Sequence, residues 1–245
     1  MMLSVVVPVL NEERSVPELC RRVRAALAPT RLDFELLFVD DGSTDGTAGL
    51  LRALHEEDPR VKCVHLARNF GHQAAISAGL RAAGGDAVVV MDGDLQDSPE
   101  LLPGFVERWR AGYDVVYAVR ERRPESWPKR AAYRVFYRAL SRLSQIDVPV
   151  DSGDFSLMDR KVVDVLNAMP ERTRFVRGMR SWAGFRQTGV AAARGERFAG
   201  RAKYTYRKLL RLALDGFFGF SYRPLQLASV FGAAVSVVAL LLALA

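Results

Sequence analysis

Asp92 and Asp94 stand two residues apart around Gly93, with Gln96 two residues further on, directly after the apolar run Ala87–Met91. In extended backbone, residues at i and i+2 point to the same side. Two carboxylates can then share one divalent cation, and Gln96 offers a neutral oxygen to the same ion. Mg2+ or Mn2+ prefers carboxylate, water and phosphate oxygens, and an open site of this kind is completed by a substrate's diphosphate. The plainer reading of such a pair is a solvated turn; its position after an apolar run favours the metal. A second acidic turn, Asp40-Asp41-Gly42-Ser43, follows the run Glu35–Val39. There Asp41, Ser43 or Thr44 could cap the N–H groups of a helix start, or Asp41 could accept a hydrogen bond from a base N–H of a nucleotide.

These residues need a scaffold that brings them together. Leu3–Val9, Glu35–Val39, Val61–Leu66, Ala87–Met91 and Val115–Val119 read as strands with helical patterns between them. Strands apolar on both faces and separated by helices predict a mostly parallel sheet covered on each side, an α/β, Rossmann-like domain. In such sheets ligands bind beyond the carboxyl ends of the strands. The polar residues concentrate there: Pro8, Leu10, Asn11 and Glu12 around the end of the first strand, Asp40 and Asp41 after the second, Asp92 to Asp97 after the fourth, and Arg120 after the fifth. No G-x-G-x-x-G follows the first strand and no G-x-x-x-x-G-K-[ST] occurs, which counts against a dinucleotide oxidoreductase and a P-loop NTPase. Gly71 either lets the backbone approach a nucleotide or forms a helix-entry turn. His72 and Gln73 open the next helix; a lone histidine there reads as structural, and zinc is not expected.

The chain has 245 residues, 49% hydrophobic and 26% charged, which excludes disordered and collagen-like classes. Its net charge of +7 favours anionic partners. Cys20 and Cys63 have no metal-binding spacing and fit a reducing compartment. No signal peptide is expected at the start. Residues 225–245 carry no charge and are long enough to span a bilayer core, preceded by Arg194, Arg197, Arg201, Lys203, Arg207, Lys208, Arg211 and Arg223 as a basic cytoplasmic flank. A buried core helix is the alternative, and the chain ends inside the apolar run, as a truncated span would. Basic amphipathic stretches from Trp127 to Leu143 and from Tyr206 to Phe220 fit the headgroup region of an acidic membrane, or ordinary packing with a solvated face. The expected division is a catalytic domain over 1–204, an interface helix over 205–223 and a transmembrane helix over 225–245.

VPVLNEE, VDDGSTDGT, ARNFGHQAAISAGLRAA and VMDGDLQDSPE, in this order and spacing, resemble family 2 glycosyltransferases of the GT-A fold. SGDFSLMDRKVVDVLNAMPERTRFVRG, WAGFRQTGV and RFAGRAKYTYRKLLRLALDGFFGFSYRPLQLAS extend the likeness over nearly the whole chain, to the polyisoprenyl-phosphate glycosyltransferases, including the bactoprenol glucosyltransferases and dolichyl-phosphate mannose synthase. It departs from them at Ala202, where relatives carry serine or threonine, and in showing at most one membrane helix.

The resemblance implies transfer of a hexose from a nucleotide sugar, UDP-glucose before GDP-mannose, to undecaprenyl or another polyprenyl phosphate, with inversion, on the cytosolic face of the plasma membrane. It implies nucleotide contacts at Pro8, Leu10, Asn11, Glu12, Asp40, Asp41, Gly71, Asp92 and Gly93, and metal at Asp92, Asp94 and Gln96. It also places Asp154, in the Gly-Asp-Phe turn, where related enzymes keep a catalytic carboxylate, acting as a base or as an orienting group. Arg120, Arg201 and Lys203 could clamp phosphate oxygens or stay solvated, and Tyr204 could bind phosphate or pack at the membrane surface. A homo-oligomer is left open. The other classes considered are a nucleic-acid-binding protein, which acidic residues at the sheet edge disfavour, and a non-catalytic membrane scaffold or sensor, which intact Asp92, Asp94, Arg120 and Asp154 disfavour.

Overall fold

The computed structural model describes residues 1–120, 152–171, 174–192 and 223–244. The chain divides into two compact units, one holding the sheet and its helices, the other the C-terminal helix. In the first unit β1 (Met2–Val9), β2 (Asp33–Asp40), β3 (Val61–His65), β4 (Ala87–Val90), β5 (Val115–Arg120), β6 (Ser152–Asp159) and β7 (Gln187–Ala192) form one sheet in the order β3-β2-β1-β4-β6-β5-β7. Strands β3, β2, β1 and β4 pair in parallel, whereas β6 runs antiparallel to both β4 and β5. The first five strands thus fall where the apolar runs predict them.

Both faces of the sheet are covered, because successive strand residues point to opposite sides. On one face Leu3, Val5, Val7 and Val9 of β1 join a core with α1 (Val16–Leu27) and α4 (Leu102–Arg110); on the other, Val6 packs in a core with α3 (His72–Ala82), α5 (Arg160–Ala168) and α6 (Val176–Trp182). Helix α1 follows from its sequence: Pro17 near its start, and Val16, Leu19, Cys20, Val23 and Leu27 at helical spacing, all buried. Helix α2 (Thr47–Glu57) adds Leu51 to the first core.

Two expectations need correction. Asp154 is not in a turn: it lies inside β6, whose antiparallel pairing with β4, Val90 opposite Ser156, draws the segment into the sheet. Its mixed polar and apolar residues hide the strand from local pattern reading. The second concerns 225–245. A helix, α7, does form over Arg223–Leu244, with Phe231, Val235, Leu241 and Leu244 exposed. Among the described residues, however, no helix is long and apolar enough to cross a membrane, so the expected transmembrane span goes unsupported. The amphipathic segments at 127–143 and 206–220 lie outside the described residues.

Candidate active site

The loops after β1 and β2 are pinned to each other. Asn11 takes a left-handed backbone conformation (φ 56°), which asparagine tolerates better than most residues. Its N–H donates to Ser43 Oγ at 2.9 Å and its Oδ1 accepts from the Thr44 N–H at 2.8 Å. The Glu12 N–H donates to Thr47 Oγ1 at 3.0 Å, and the Glu12 carboxylate accepts from Ser15 Oγ at 2.8 Å. Leu10 and the buried Pro8 lie beside these bonds at the end of β1.

Asp40 and Asp41 are both buried. Asp40 accepts from the Ser43 N–H at 2.9 Å and lies 3.0 Å from His65 Nδ1. Burial pushes its pKa up, but the bonds from Ser43 and His65 outweigh burial and hold it below the usual carboxylate value. Asp41 accepts from the N–H groups of Phe70 at 2.7 Å and Gly71 at 2.9 Å. Neither carboxylate caps α2; Asp45 accepts the Thr47 N–H at 3.1 Å instead. Asp41 therefore anchors the turn before α3, and any base contact would use its remaining lone pairs. Gly71 is the N-cap of α3 with φ 98°, and a Cβ there would meet nothing within 4 Å. Its glycine is explained by that backbone conformation rather than by a crowded approach.

After β4 the chain folds into a tight acidic loop. The Gln96 N–H donates to Asp94 Oδ1 at 3.1 Å, and the Asp92 N–H to Asp97 Oδ2 at 3.2 Å. A Cβ on Gly93 would stand 2.8 Å from Val9 Cγ1 and 3.2 Å from the Pro8 carbonyl, so the loop rests directly on the end of β1. Asp94 is buried, and the Asp92 side chain is 36% exposed. Among the described residues no group of three or more His, Cys, Asp or Glu side chains is arranged to hold a metal ion. Two carboxylates on one loop, Asp92 and Asp94, are the kind of hard oxygen donors that would hold a divalent cation together with diphosphate and water.

Continuing the β4–β6 register two residues beyond Val90 and Ser156 sets Asp154 across from Asp92. Between them stands His72, the first residue of α3, its Nε2 3.5 Å from Asp92 Oδ1 and 3.4 Å from Asp154 Oδ2. Gln73 Nε2 donates to the same Asp154 oxygen at 3.1 Å. Burial works against ionisation of Asp154, but the His72 contact and the charges of Arg177 and Arg180 prevail and hold it below the usual carboxylate value. Burial likewise pushes the His72 pKa down, and it is overcome by Asp154, Asp92 and Asp97, which raise it. Arg180, on α6, is fully buried beside the Tyr117 ring; burial lowers its pKa to about 10. Its Nε and one terminal nitrogen have no hydrogen-bond partner among the described residues, nor does Asp154 Oδ1.

Sequence reasoning missed the part played by His72, Gln73 and Arg180. The pair was visible as the start of a helix, but the carboxylate it meets is distant in the chain. Arg180 follows the buried Met179 and lies four residues after the buried Val176, so its place on the inward face of α6 was a readable signal. Arg120 ends β5, with its side chain outside the description; Arg201, Lys203 and Tyr204 lie outside the described residues.

The model of glycosyl transferase family 2 matches residues 4–166, well over half the chain. The chain belongs to that family. Among curated relatives it is 49% identical to the uncharacterized glycosyltransferase YkcC of Bacillus subtilis, over 95% of this chain and 72% of that protein. It is 40% identical to the prophage bactoprenol glucosyl transferase homolog of Escherichia coli, over 98% of this chain and 78% of that one. The mannosyltransferase PcManGT of Pyrobaculum calidifontis, solved with GDP-Man and Mn2+, superposes with a TM-score of 0.61 at 23% identity, over 89% of this chain and 63% of its own. That likeness shows the GT-A fold expected from the sequence. In this family 2 chain, the acidic loop after β4 and Asp154 of β6 meet at one sheet edge.

Proposed function

We propose that the protein transfers a hexose, glucose from UDP-glucose, to the phosphate of a polyprenyl lipid with inversion at the anomeric carbon. One observation carries the reading: in a family 2 chain, Asp92 and Asp154 face each other across His72 at the carboxyl end of β4. The lipid acceptor and the glucosyl group are supported by 40% identity to a bactoprenol glucosyl transferase homolog.

In this reading Pro8, Leu10, Asn11, Glu12, Asp40, Asp41, Gly71 and Gly93 form the nucleotide side of the site. Asp92 and Asp94, with Gln96, would hold Mg2+ or Mn2+, which when bound stabilises negative charge on the departing diphosphate as a Lewis acid. An acceptor phosphate oxygen forms the new bond to the anomeric carbon while the bond to the diphosphate breaks, its electron pair leaving with the diphosphate. A phosphate monoester has a second pKa near about 6, so the acceptor is largely dianionic at neutral pH and needs little help from a base. Asp154 has a different task. Positive charge grows on the sugar as the glycosidic bond loosens, and a carboxylate kept ionised by His72, Arg177 and Arg180 opposes that charge and orients the sugar. Arg120, Arg201, Lys203 and Tyr204 are assigned to the diphosphate and acceptor phosphate. Helix α7, with its exposed apolar side chains, is assigned to attachment at the cytosolic face of the plasma membrane, where a polyprenyl acceptor must be met.

The test incubates the protein with polyprenyl phosphate, Mg2+ or Mn2+, and UDP-glucose, UDP-N-acetylglucosamine or GDP-mannose in turn. Consumption of UDP-glucose with formation of a polyprenyl-phosphate sugar is the expected result. Consumption of GDP-mannose alone would replace the donor, and no lipid-linked product from any donor would sink the reading.

A further inference from the structure

We propose that Gln73 is a positioning residue for Asp154, an inference that rests on the transfer reaction proposed above. Its carboxamide makes two hydrogen bonds at once. Nε2 donates to Asp154 Oδ2 at 3.1 Å, and Oε1 accepts the Val176 N–H at 2.9 Å. A backbone N–H can only donate, so the end facing Val176 must be the carbonyl oxygen, which obliges the amide nitrogen to face Asp154. One side chain thereby ties the start of α3 to β6 and to the start of α6. Glutamate in its place would turn an acceptor toward a carboxylate, and lysine would offer Val176 no acceptor.

The bond matters because little else holds the Asp154 carboxylate. His72 approaches Oδ2 at 3.4 Å, long for a hydrogen bond, and Oδ1 has no partner among the described residues. The terminal torsion of an aspartate is broad and weakly restrained by itself. Without Gln73 the carboxylate keeps only the longer His72 contact and can turn more readily, carrying its charge away from the side it shares with Asp92. A group that must face a forming charge in one orientation loses its effect with small misplacement. Gln73 itself is held within α3, where its carbonyl accepts from Ser77 Oγ at 2.8 Å.

Gln73→Glu separates the two bonds. It retains an acceptor for Val176 while setting a second carboxylate against Asp154, and like charges sharing a site repel. With UDP-glucose and polyprenyl phosphate, kcat should fall by about a hundredfold while the donor KM stays near that of the unmodified protein. Wild-type kcat in Gln73→Glu would overturn the proposal. A purely structural link to Val176 predicts that outcome, since Gln73→Glu preserves it. A thermal double-mutant cycle needs no substrate: Gln73→Glu should lower Tm, and Asp154→Asn on that background should restore it by returning a donor to the pair. Tm shifts of the two substitutions that simply add would overturn the contact. Should Gln73→Glu fail to fold, Gln73→Met, which removes both bonds without repulsion, takes its place, and retention of wild-type kcat again overturns the proposal. If the unmodified protein turns over no donor, the transfer reading fails while the thermal cycle still decides whether Gln73 holds Asp154.

Discussion

His72 Nε2 lies 3.4 Å from Asp154 Oδ2, placing an imidazole from the start of α3 against a carboxylate carried by the antiparallel strand β6. Because Asp92 Oδ1 approaches the same nitrogen at 3.5 Å, the imidazole separates two carboxylates that would otherwise repel each other. His72→Ala is expected to cost about 1–3 kcal/mol of stability and to depress transfer. Urea denaturation of the two proteins measures the first effect; equal midpoints would show that the imidazole shields nothing.

Asp94 is the buried member of the pair assigned to the metal, and its Oδ1 also accepts the Gln96 N–H. Asp94→Asn keeps the size and one acceptor but removes the charge. Sugar transfer should fall by about a hundredfold or more, as for loss of one electrostatic group in the transition state. Calorimetric titration with UDP-glucose should lose its Mn2+ dependence, and far-ultraviolet circular dichroism should stay unchanged. Undiminished turnover would remove Asp94 from the metal site.

Glu35 offers a pH test away from the site. Its carboxylate is buried and accepts from Ser4 Oγ, from Lys62 Nζ at 2.7 Å and from the Gly84 N–H at 2.8 Å. Burial pushes its pKa up, but these donors outweigh burial and hold it below its ordinary value. A carboxylate with a depressed folded pKa stabilises above its unfolded pKa, about 4.3 for glutamate, and loses that contribution as pH falls through the folded value. Glu35→Gln should therefore lower stability by about 1–3 kcal/mol at neutral pH, with the gap closing as pH falls below about 4. A gap that stayed constant in thermal melts between pH 7 and pH 3 would contradict this.

Gly93 joins the acidic loop to the end of β1. Because an added Cβ would stand 2.8 Å from Val9 Cγ1 and 3.2 Å from the Pro8 carbonyl, Gly93→Ala must shift either the Val9 side chain or the loop where the two meet. The expected cost is about 1–3 kcal/mol, together with weaker binding of UDP-glucose in the presence of Mn2+. Unchanged melting and unchanged binding would mean the loop shifts without consequence.

The loops assigned to the nucleotide were legible as strand ends because their signals are local. Asn11, Asp40, Asp41, Asp92 and Asp94 each stand where an apolar run of strand length stops, and a parallel sheet collects such points at one edge. Asp154 was singled out by resemblance, yet its strand was not legible: Ser152, Asp154 and Ser156 interrupt the apolar residues, and only pairing with β4 and β5 makes the segment extended. Strand β7 gave no signal either, since Gln187–Ala192 is short and mixed and is held in place by β5.

By itself, the sequence determined the apolar periodicity, and with it five strands, their covering helices and the acidic loops at the strand ends. Those features depend on neighbours within a few residues, where spacing and burial preference suffice. Tertiary structure alone decided that β6 runs antiparallel beside β4, that Asp154 faces Asp92, and that His72 and Gln73 meet the same carboxylate oxygen. Such contacts join residues far apart in the chain, and they exist only once the sheet has fixed its strand order and register.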